Sequence, residues 1–205
     1  MPGGWLVAVV AAYLLGSIPW AYLAGKGLKG IDLRQRGSGN LGATNVYRTL
    51  GAPAAVAVLA LDALKGFAAV AWLPSFIAGA SDPGWRIACG VAAIVGHVRP
   101  AFLLWKGGGK GVATAAGVFA ALAPIPLLIA ILAFGLVLLA TRYISLSSLT
   151  GAVALSVAMG VQRGLRDPLF GVALVISVFV FWTHRSNIVR LRQGAEPRFG
   201  EKSAG

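Results

Sequence analysis

The chain has 205 residues, of which 58% are hydrophobic and 12% charged, and its mean hydropathy is +0.80. A soluble domain of this length would carry about twice that share of charge, so most of the chain is expected to lie in a membrane. The net charge of +12 would indicate nucleic-acid binding in a soluble protein, but cationic cytoplasmic loops explain most of it here. Cys89 is the only cysteine, which excludes an intrachain disulfide and a cysteine metal cluster.

Seven apolar segments predict an all-α polytopic membrane protein, a single domain over residues 1–205 with a flexible cytoplasmic tail from about residue 190. No positively charged stretch precedes the first segment, so we expect no removable signal peptide. The segment at 112–123 rises only about 18 Å as a helix, so it could be a half-span of a hydrocarbon core about 30 Å thick; the segment at 149–162 is also short. The predicted spans are 5–24, 50–78, 85–100, 112–123, 126–141, 149–162 and 168–183.

The distribution of Lys and Arg predicts the orientation. If all seven segments span, the loops at 26–49, 99–111 and 142–148 and the tail from residue 184 share one side. That side carries fourteen Lys and Arg residues, against three on the other. Such segregation predicts a bacterial plasma-membrane protein with its N-terminus outside and its C-terminus and active site in the cytoplasm. It would disappear if one short segment failed to span, which favours seven.

The segment 36–48 is rich in residues that suit a bound anion. Its three glycines let the backbone turn tightly and approach a ligand, and its only charges are positive, so the simplest guest is a phosphate. The alternative is a turn-rich connector, because glycine and asparagine are ordinary loop residues. The candidate residues are Gly37, Ser38, Gly39, Asn40, Thr44, Asn45 and Arg48.

A second cluster runs from residue 96 to residue 114. Its glycines precede a predicted helix and would expose backbone N–H groups and the positive end of the helix dipole, to which the lysines add charge. A Walker A loop follows a strand and has a glycine five positions before its Gly-Lys pair. Neither feature is present here, so this cluster is not a Walker A loop. The alternative is a flexible cationic hairpin. The candidate residues are His97, Lys106, Gly107, Gly108, Gly109, Lys110 and Thr114.

His97 has two possible roles. Some membrane acyltransferases of another class use a His-x-x-x-x-Asp pair as base and orienting group, but here the fifth position after His97 is Phe102. No carboxylate is therefore available locally to orient this imidazole. A catalytic role and a structural role, in which the ring holds the loop by a hydrogen bond, both stay open.

Three further polar groups lie in or beside apolar segments. Ser145, Ser147 and Ser148 start a span, where serines most often cap a helix. His184 and Asn187 are three residues apart, which predicts a shared helix face. Asp62 and Lys65 have the same spacing inside a span, where ionisable groups usually pair, so we expect a structural ion pair rather than direct catalysis.

In this order the clusters resemble those of the bacterial acyl-phosphate-dependent glycerol-3-phosphate acyltransferases, the PlsY family, over essentially the whole chain. One departure is that the family loop normally reads Lys-Gly-Gly-Lys-Gly, whereas three glycines separate Lys106 from Lys110 here, so either lysine could fill a given family role. The resemblance rests on Gly16-Ser17-Ile18-Pro19, on 36–48, on Asp62-x-x-Lys65-Gly66 and on 96–114, 145–148 and 184–187.

The resemblance implies transfer of a fatty acyl group from acyl-phosphate to the 1-hydroxyl of sn-glycerol-3-phosphate, at the start of bacterial phospholipid synthesis. The products would be lysophosphatidic acid and phosphate. It also implies no cofactor or metal and no acyl-CoA or acyl carrier protein as donor; the chain is expected to be a monomer among membrane lipids and to bind no nucleic acid.

The loop sequences show no evident triad of nucleophile, base and carboxylate, so we hypothesise that the hydroxyl of glycerol-3-phosphate attacks acyl-phosphate directly. The enzyme would position the two substrates and offset their charge, while a phosphate oxygen of a substrate takes the hydroxyl proton. The catalytic candidates are Ser38, Lys106, Lys110, Ser147, Ser148 and His184. The candidates for binding substrate or phosphate are Gly37, Gly39, Asn40, Thr44, Asn45, Arg48, His97, Gly107, Gly108, Gly109, Thr114, Ser145 and Asn187.

The main alternative is a small membrane transporter for an organic phosphate or other anion, because such proteins also use broken helices and intramembrane charges. Transporters usually place their site near the midplane and often contain internal repeats. This sequence shows no convincing repeat, and its anion-suited residues fall on one side. A structural membrane subunit would not require three phosphate-suited loops.

Overall fold

The computed structural model describes residues 3–78 and 83–201, and these residues form eleven α-helices and two short 3-10 helices. Residues 79–82 and the end of the predicted tail, 202–205, lie outside the described residues. The helices are α1 (Gly3–Gly16), α2 (Trp20–Lys29), α3 (Ala43–Leu50), α4 (Ala52–Ala71), α5 (Leu73–Ala78), α6 (Pro83–Val98), α7 (Val112–Leu122), α8 (Pro124–Thr141), α9 (Ile144–Arg163), α10 (Pro168–Thr183) and α11 (Arg185–Arg192).

The all-helical membrane architecture is confirmed. Within the described ranges five helices are long and apolar enough to cross a membrane, and a sixth span results if α10 and α11, which bend by 60°, count as one. The short α7 has 11 residues and is not among these spans, so the described residues give five or six spans instead of the predicted seven. Two of the five combine neighbouring elements: Gly4–Lys29 covers α1 and α2, and Pro83–Leu103 covers α6 and the short 3-10 helix after it. The other three are Ala52–Ala71, Pro124–Thr141 and Ile144–Arg163.

Two predicted boundaries were wrong. The span predicted at 50–78 divides, because α4 ends before Trp72 and α5 follows as a separate short helix. The segment at 149–162 is no short helix, since α9 begins at Ile144 and has 20 residues. Within its serine-rich start the hydroxyls of Ser147 and Ser148 are satisfied by donating to carbonyls four residues earlier in the chain.

The chain divides into two compact units, with the boundary between Leu122 and Ala123. In the first unit α4 packs against α7 and α1 against α6. Glycines permit these close crossings: a β-carbon at Gly66 would collide with the backbone of Thr114, and one at Gly117 with that of Ala63. Thr114, a predicted binding residue, is therefore fully buried between α7 and α4.

In the second unit α9 packs between α8 and α10. Asp167 caps α10 by accepting the N–H of Leu169 at 2.7 Å. After α11 the chain returns to the end of α8, where the N–H of Phe199 bonds the carbonyl of Arg142. This bond, with that from Arg198 Nε to the Tyr143 hydroxyl at 3.3 Å, places Arg198 and Phe199 beside the start of α9.

Candidate active site

The loop before α3 wraps around the side-chain amide of Asn45, which is 1% exposed. Its Oδ1 accepts the N–H of Ser38 at 3.0 Å. Its Nδ2 donates to the carbonyls of Leu33, at 3.2 Å, and Arg36, at 3.1 Å. Gly37 turns with a φ of +58°, and a β-carbon there would collide with the Asn45 oxygen. Asn45 thus holds the loop from inside, and its predicted contact with substrate stays a prediction.

This loop is bonded directly to the glycine loop, residues 107–111. Asn40 donates from Nδ2 to the carbonyl of Gly108 at 3.2 Å, across 68 positions of sequence. The N–H of Leu41 donates to the same carbonyl at 3.2 Å. Arg34 adds a third link, from Nη1 to the carbonyl of Lys106 at 3.1 Å. The structure therefore brings the first two predicted clusters together.

Arg34 and Asp32 form a brace at the base of the loop. Arg34 Nη2 lies 2.7 Å from Asp32 Oδ2, and the Arg34 backbone N–H also donates to this carboxylate. The hydrogen bond from the Arg34 side chain holds the pKa of the Asp32 carboxyl below its usual value. With its charge paired, Arg34 serves to connect loops and contributes little net charge for a ligand.

The outward side chains of these loops keep their polar groups available. Ser38 and Lys106 are exposed and Arg48 is half-buried. Across residues 3–78 and 83–201 none of these three side chains has a hydrogen bond or an ion pair. They can meet an anion without first breaking an internal bond. At least partly exposed in the same loops are Gly39, Thr44, Gly107 and Lys110.

His97 lies under the glycine loop in a buried charged cluster. Its Nδ1 is 3.4 Å from Asp62 Oδ1, and Lys65 Nζ is 2.7 Å from the same oxygen. The expected pairing of Asp62 with Lys65 is confirmed. The carboxylate that sequence reasoning did not find near His97 comes from α4, 35 positions earlier in the chain. No local signal could have indicated it, because the contact depends on how α4 packs against α6.

The serine cluster occupies the first turn of α9 in the second unit. Ser145, Ser147 and Ser148 are all buried. The hydroxyls of Ser147 and Ser148 each donate at 2.8 Å, to the carbonyls of Tyr143 and Ile144 respectively. The donor of each hydroxyl is therefore spent within the helix, while its oxygen retains acceptor capacity. None of the three is the helix cap, because that position is Tyr143.

His184 and Asn187 do not lie on one continuous helix, contrary to the prediction. His184 is the junction between α10 and α11, and Asn187 stands in the first turn of α11. The Nδ1 of His184 lies 2.8 Å from the carbonyl of Val180. Because a carbonyl can only accept, Nδ1 carries the proton, and the neutral ring has its acceptor lone pair on Nε2.

Sequence reasoning missed Glu196, which supports Asn187. Its Oε1 accepts from Asn187 Nδ2 at 2.6 Å, and its Oε2 accepts from Arg190 Nε at 2.7 Å. Burial acts to raise the pKa of the Glu196 carboxyl, but the hydrogen bonds from Asn187 and Arg190 outweigh it and hold that pKa below the usual value. A lone glutamate in a polar tail gave no signal.

Each unit thus offers part of the equipment for handling phosphate esters. The first supplies two joined glycine-rich loops, residues 36–48 and 107–111, which we call the double loop, with lysine and arginine at its edges. The second supplies buried hydroxyls, an imidazole and an amide. Among the described contacts, no serine or cysteine side chain is hydrogen-bonded to the ring of His97, the histidine that contacts Asp62. Among the described residues there is also no group of three or more His, Cys, Asp or Glu side chains that could hold a metal ion.

Comparison with known proteins gives matches along almost the whole chain. A family model described as glycerol-3-phosphate acyltransferase matches residues 6–194. The glycerol-3-phosphate acyltransferase of Synechococcus sp. (strain CC9902) is 47% identical over 198 residues, which are 96% of this chain and 96% of that protein. The Geobacter sulfurreducens enzyme is 47% identical over 195 residues, 95% of this chain and 97% of that protein.

Solved structures give the same result. A crystal structure of PlsY, an integral membrane glycerol 3-phosphate acyltransferase, in its glycerol 3-phosphate form superposes with a TM-score of 0.87 at 40% identity, covering 96% of both chains. The lysophosphatidic acid form superposes with a TM-score of 0.83 at 39% identity, covering 96% of this chain and 95% of that one. At this identity and coverage the shared fold extends over the whole molecule.

Proposed function

This chain belongs to the glycerol-3-phosphate acyltransferase family, and from that premise we propose that its acyl donor is acyl-phosphate and that transfer is direct. It is an integral membrane glycerol-3-phosphate acyltransferase that produces lysophosphatidic acid. The transporter alternative is thereby set aside. What we propose concerns the donor, the mechanism and the residues.

In the proposed reaction the 1-hydroxyl oxygen of glycerol-3-phosphate attacks the acyl carbonyl carbon of acyl-phosphate. The new C–O ester bond forms as the bond between the acyl carbon and the phosphate oxygen breaks. The hydroxyl proton passes to a phosphate oxygen, and the leaving group departs as inorganic phosphate. Because acyl-phosphate is a mixed anhydride with phosphate as a good leaving group, the enzyme has only to align the two phosphate-bearing substrates and to offset their charge.

The observation that carries this proposal is the bonded pair of loops in the first unit. Two phosphate esters need several donors and cations within one small region, and the bonds of Asn40 and Leu41 to Gly108 join two such loops into one surface. We assign to Ser38, Lys106 and Lys110 the binding of phosphate oxygens. The exposure of Ser38 and Lys106 supports the assignment for these two residues.

The polar residues of the second unit receive the complementary roles. We assign Ser147 and Ser148 to phosphate binding, in which each hydroxyl turns its proton from the helix carbonyl to a phosphate oxygen. We assign His184 and Asn187, with Arg48 of the first unit, to binding and orienting glycerol-3-phosphate. For His184 the support is geometric, since the bond of its Nδ1 to the carbonyl of Val180 fixes the orientation of the ring. Asn187 is pre-oriented in the same way by Glu196.

For the membrane, we propose that the N-terminus lies outside the bacterial plasma membrane and the C-terminus and active site in the cytoplasm. The support for this orientation is the segregation of Lys and Arg along the sequence, which requires that the short segment at 112–123 also crosses the membrane. We further propose that the enzyme works as a monomer, without metal or cofactor, and accepts neither acyl-CoA nor acyl carrier protein as donor.

The test is to incubate the purified enzyme in detergent with labelled glycerol-3-phosphate and either acyl-phosphate or acyl-CoA. We expect equal amounts of lysophosphatidic acid and phosphate with acyl-phosphate only, unchanged by a chelator. Direct transfer further predicts no stoichiometric release of phosphate when glycerol-3-phosphate is omitted. A burst of phosphate together with an acyl group trapped on a serine would contradict direct transfer, and activity with acyl-CoA would contradict the proposed donor.

A further inference from the structure

The buried cluster of Lys65, Asp62 and His97 is the most heavily charged interior feature of the first unit, and the proposed chemistry does not use it. Asp62 is 2% exposed, Lys65 3% and His97 7%. Burying an ion pair costs several kcal/mol per ion in desolvation, and well-packed apolar residues would often be at least as stable. Stability alone is therefore a poor explanation for a charged pair at this depth.

The cluster is connected to the glycine loop through both the ring and the backbone of His97. The carbonyl of His97 accepts the N–H of Gly109 at 3.2 Å. The ring lies so close to Gly109 that a β-carbon there would fall on its Nε2 edge, and one at Gly108 would fall on the backbone of Val98. The conformation of the loop thus depends on where the imidazole stands.

The imidazole is in turn fixed by a series of polar contacts that joins α6, α4 and the break between α1 and α2. Nδ1 of His97 meets the carboxylate of Asp62, which is paired with Lys65. Lys65 Nζ also donates to the carbonyl of Ile18 at 2.9 Å, in the break between α1 and α2. Followed from Ile18 through Lys65 and Asp62 to His97, each contact restricts the rotation of the next side chain. His97, at the end of this series, supports Gly109.

The space beside the cluster is too small for a substrate. A cavity of about 10 Å³ is enclosed by Ser17, Pro19, Leu41, Lys65, His97 and Gly109. A single water molecule needs about 10–15 Å³. His97 and its partners accordingly support the loop from below, while ligands would approach the loop from its exposed side.

We propose that Lys65, Asp62 and His97 form a positioning device that holds the glycine loop in its working conformation through the orientation of the His97 ring. His97 is then a positioning residue, which decides between the two roles that the sequence left open. The inference rests on the proposed function only in its kinetic readout, because the loop conformation can also be measured directly.

The experiment compares His97→Asn with His97→Gln. The Asn amide can stand where Nδ1 stands and keep the bond to Asp62, whereas the Gln amide reaches the Nε2 position and loses it. We expect kcat of His97→Asn to stay within about threefold of wild type and that of His97→Gln to fall at least about tenfold, because small misplacements of binding groups are costly. Cys89→Ala, another buried site on α6, serves as the control for packing loss.

Hydrogen–deuterium exchange of the peptides containing Leu41 and Gly109 gives the second readout. The Leu41 N–H is bonded to the carbonyl of Gly108 and the Gly109 N–H to the carbonyl of His97. We therefore expect faster exchange in His97→Gln and in the charge-free double variant Asp62→Asn/Lys65→Met, but not in His97→Asn or Cys89→Ala. Equal loss of kcat in the Asn and Gln variants with unchanged exchange would overturn the proposal, and so would wild-type exchange and kcat in the double variant. If the wild type transfers no acyl group from acyl-phosphate, the proposed function fails, while the exchange data still decide the positioning role.

Discussion

The two units hold their candidate residues in different ways. In the first, the backbone is what is held: Asn45 bonds the loop from inside, the carbonyl of Gly108 joins two loops, and His97 supports Gly109. The side chains of Ser38 and Lys106 are left exposed. In the second unit the candidate side chains themselves are buried and already bonded.

This difference teaches where each part of the site is vulnerable. A binding surface formed mainly by the loop backbone should tolerate the loss of an exposed side chain beside it. It should not tolerate a change in loop conformation, or the loss of a cationic side chain that contacts the ligand. A side-chain-built surface should respond to removal of single atoms. The following substitutions separate the two behaviours, in order of decreasing expected effect.

Alanine at Lys106 or Lys110 is expected to lower kcat by about 10²- to 10³-fold, because each removes a cation that faces charge on a phosphate. The thermal midpoint should stay at the wild-type value, since Lys106 is exposed. Lys26→Ala, another exposed lysine, is the control for lost positive charge. Wild-type turnover in both loop variants would remove the glycine loop from the chemistry.

Gly109→Ala should lower kcat by about 10²-fold without removing any functional group. Its β-carbon would occupy the space of the His97 ring, so the loop must shift. Gly27→Ala is the matched control, because nothing lies within 4 Å of a β-carbon at that position. An active Gly109→Ala enzyme would show that the loop conformation is not critical and would break the contrast between the units.

Ser147→Ala and Ser148→Ala are each expected to lower kcat by about 10-fold, the cost of one hydrogen bond to a charged ligand. The helix should persist, because alanine is a good helix former. Ser156→Ala, a buried serine on the same helix that bonds Ser177 at 2.8 Å, should affect stability but not kcat. Equal kinetic effects at all three positions would indicate a purely structural role for the serine cluster.

Arg48→Ala should raise the Michaelis constant for glycerol-3-phosphate by about 10-fold and leave kcat nearly unchanged, because it removes binding that is equal in the ground and transition states. The exposed Arg163 at the end of α9 provides the control substitution. If Arg48→Ala leaves the constant unchanged, the arginine contributes only to membrane orientation.

Glu196→Gln is expected to act on stability first. Since the pKa of Glu196 is lowered by folding, its ionised form stabilises the protein above the ordinary value of 4.5, and that contribution is lost as the pH falls through the folded-state pKa. The variant should be less stable at pH 7 by about 1.5–3 kcal/mol, and the difference should shrink below about pH 4. Thermal melts at both pH values test this, with the exposed Glu201→Gln as control.

Local sequence chemistry accounts for much of what was predicted correctly. The apolar segments indicated membrane helices, because a chain in lipid must satisfy its backbone hydrogen bonds internally, as a helix does. The spacing of Asp62 and Lys65 indicated an ion pair, because residues three apart share a helix face. The start of α9 was missed, since hydropathy alone gives no weight to hydroxyls that bond back to helix carbonyls.

Composition, periodicity and charge by themselves determined the membrane class and marked the glycine-rich segments, and the order of the local motifs supported the family resemblance. All of these depend on neighbours along the chain. Tertiary packing decided that Asp62 meets His97, that Asn40 meets Gly108 and that Glu196 supports Asn187. Such contacts join residues on different helices or loops, so they exist only once helix packing has fixed the distance between them. The same packing separated the residues that support the loops from those left to contact the substrate.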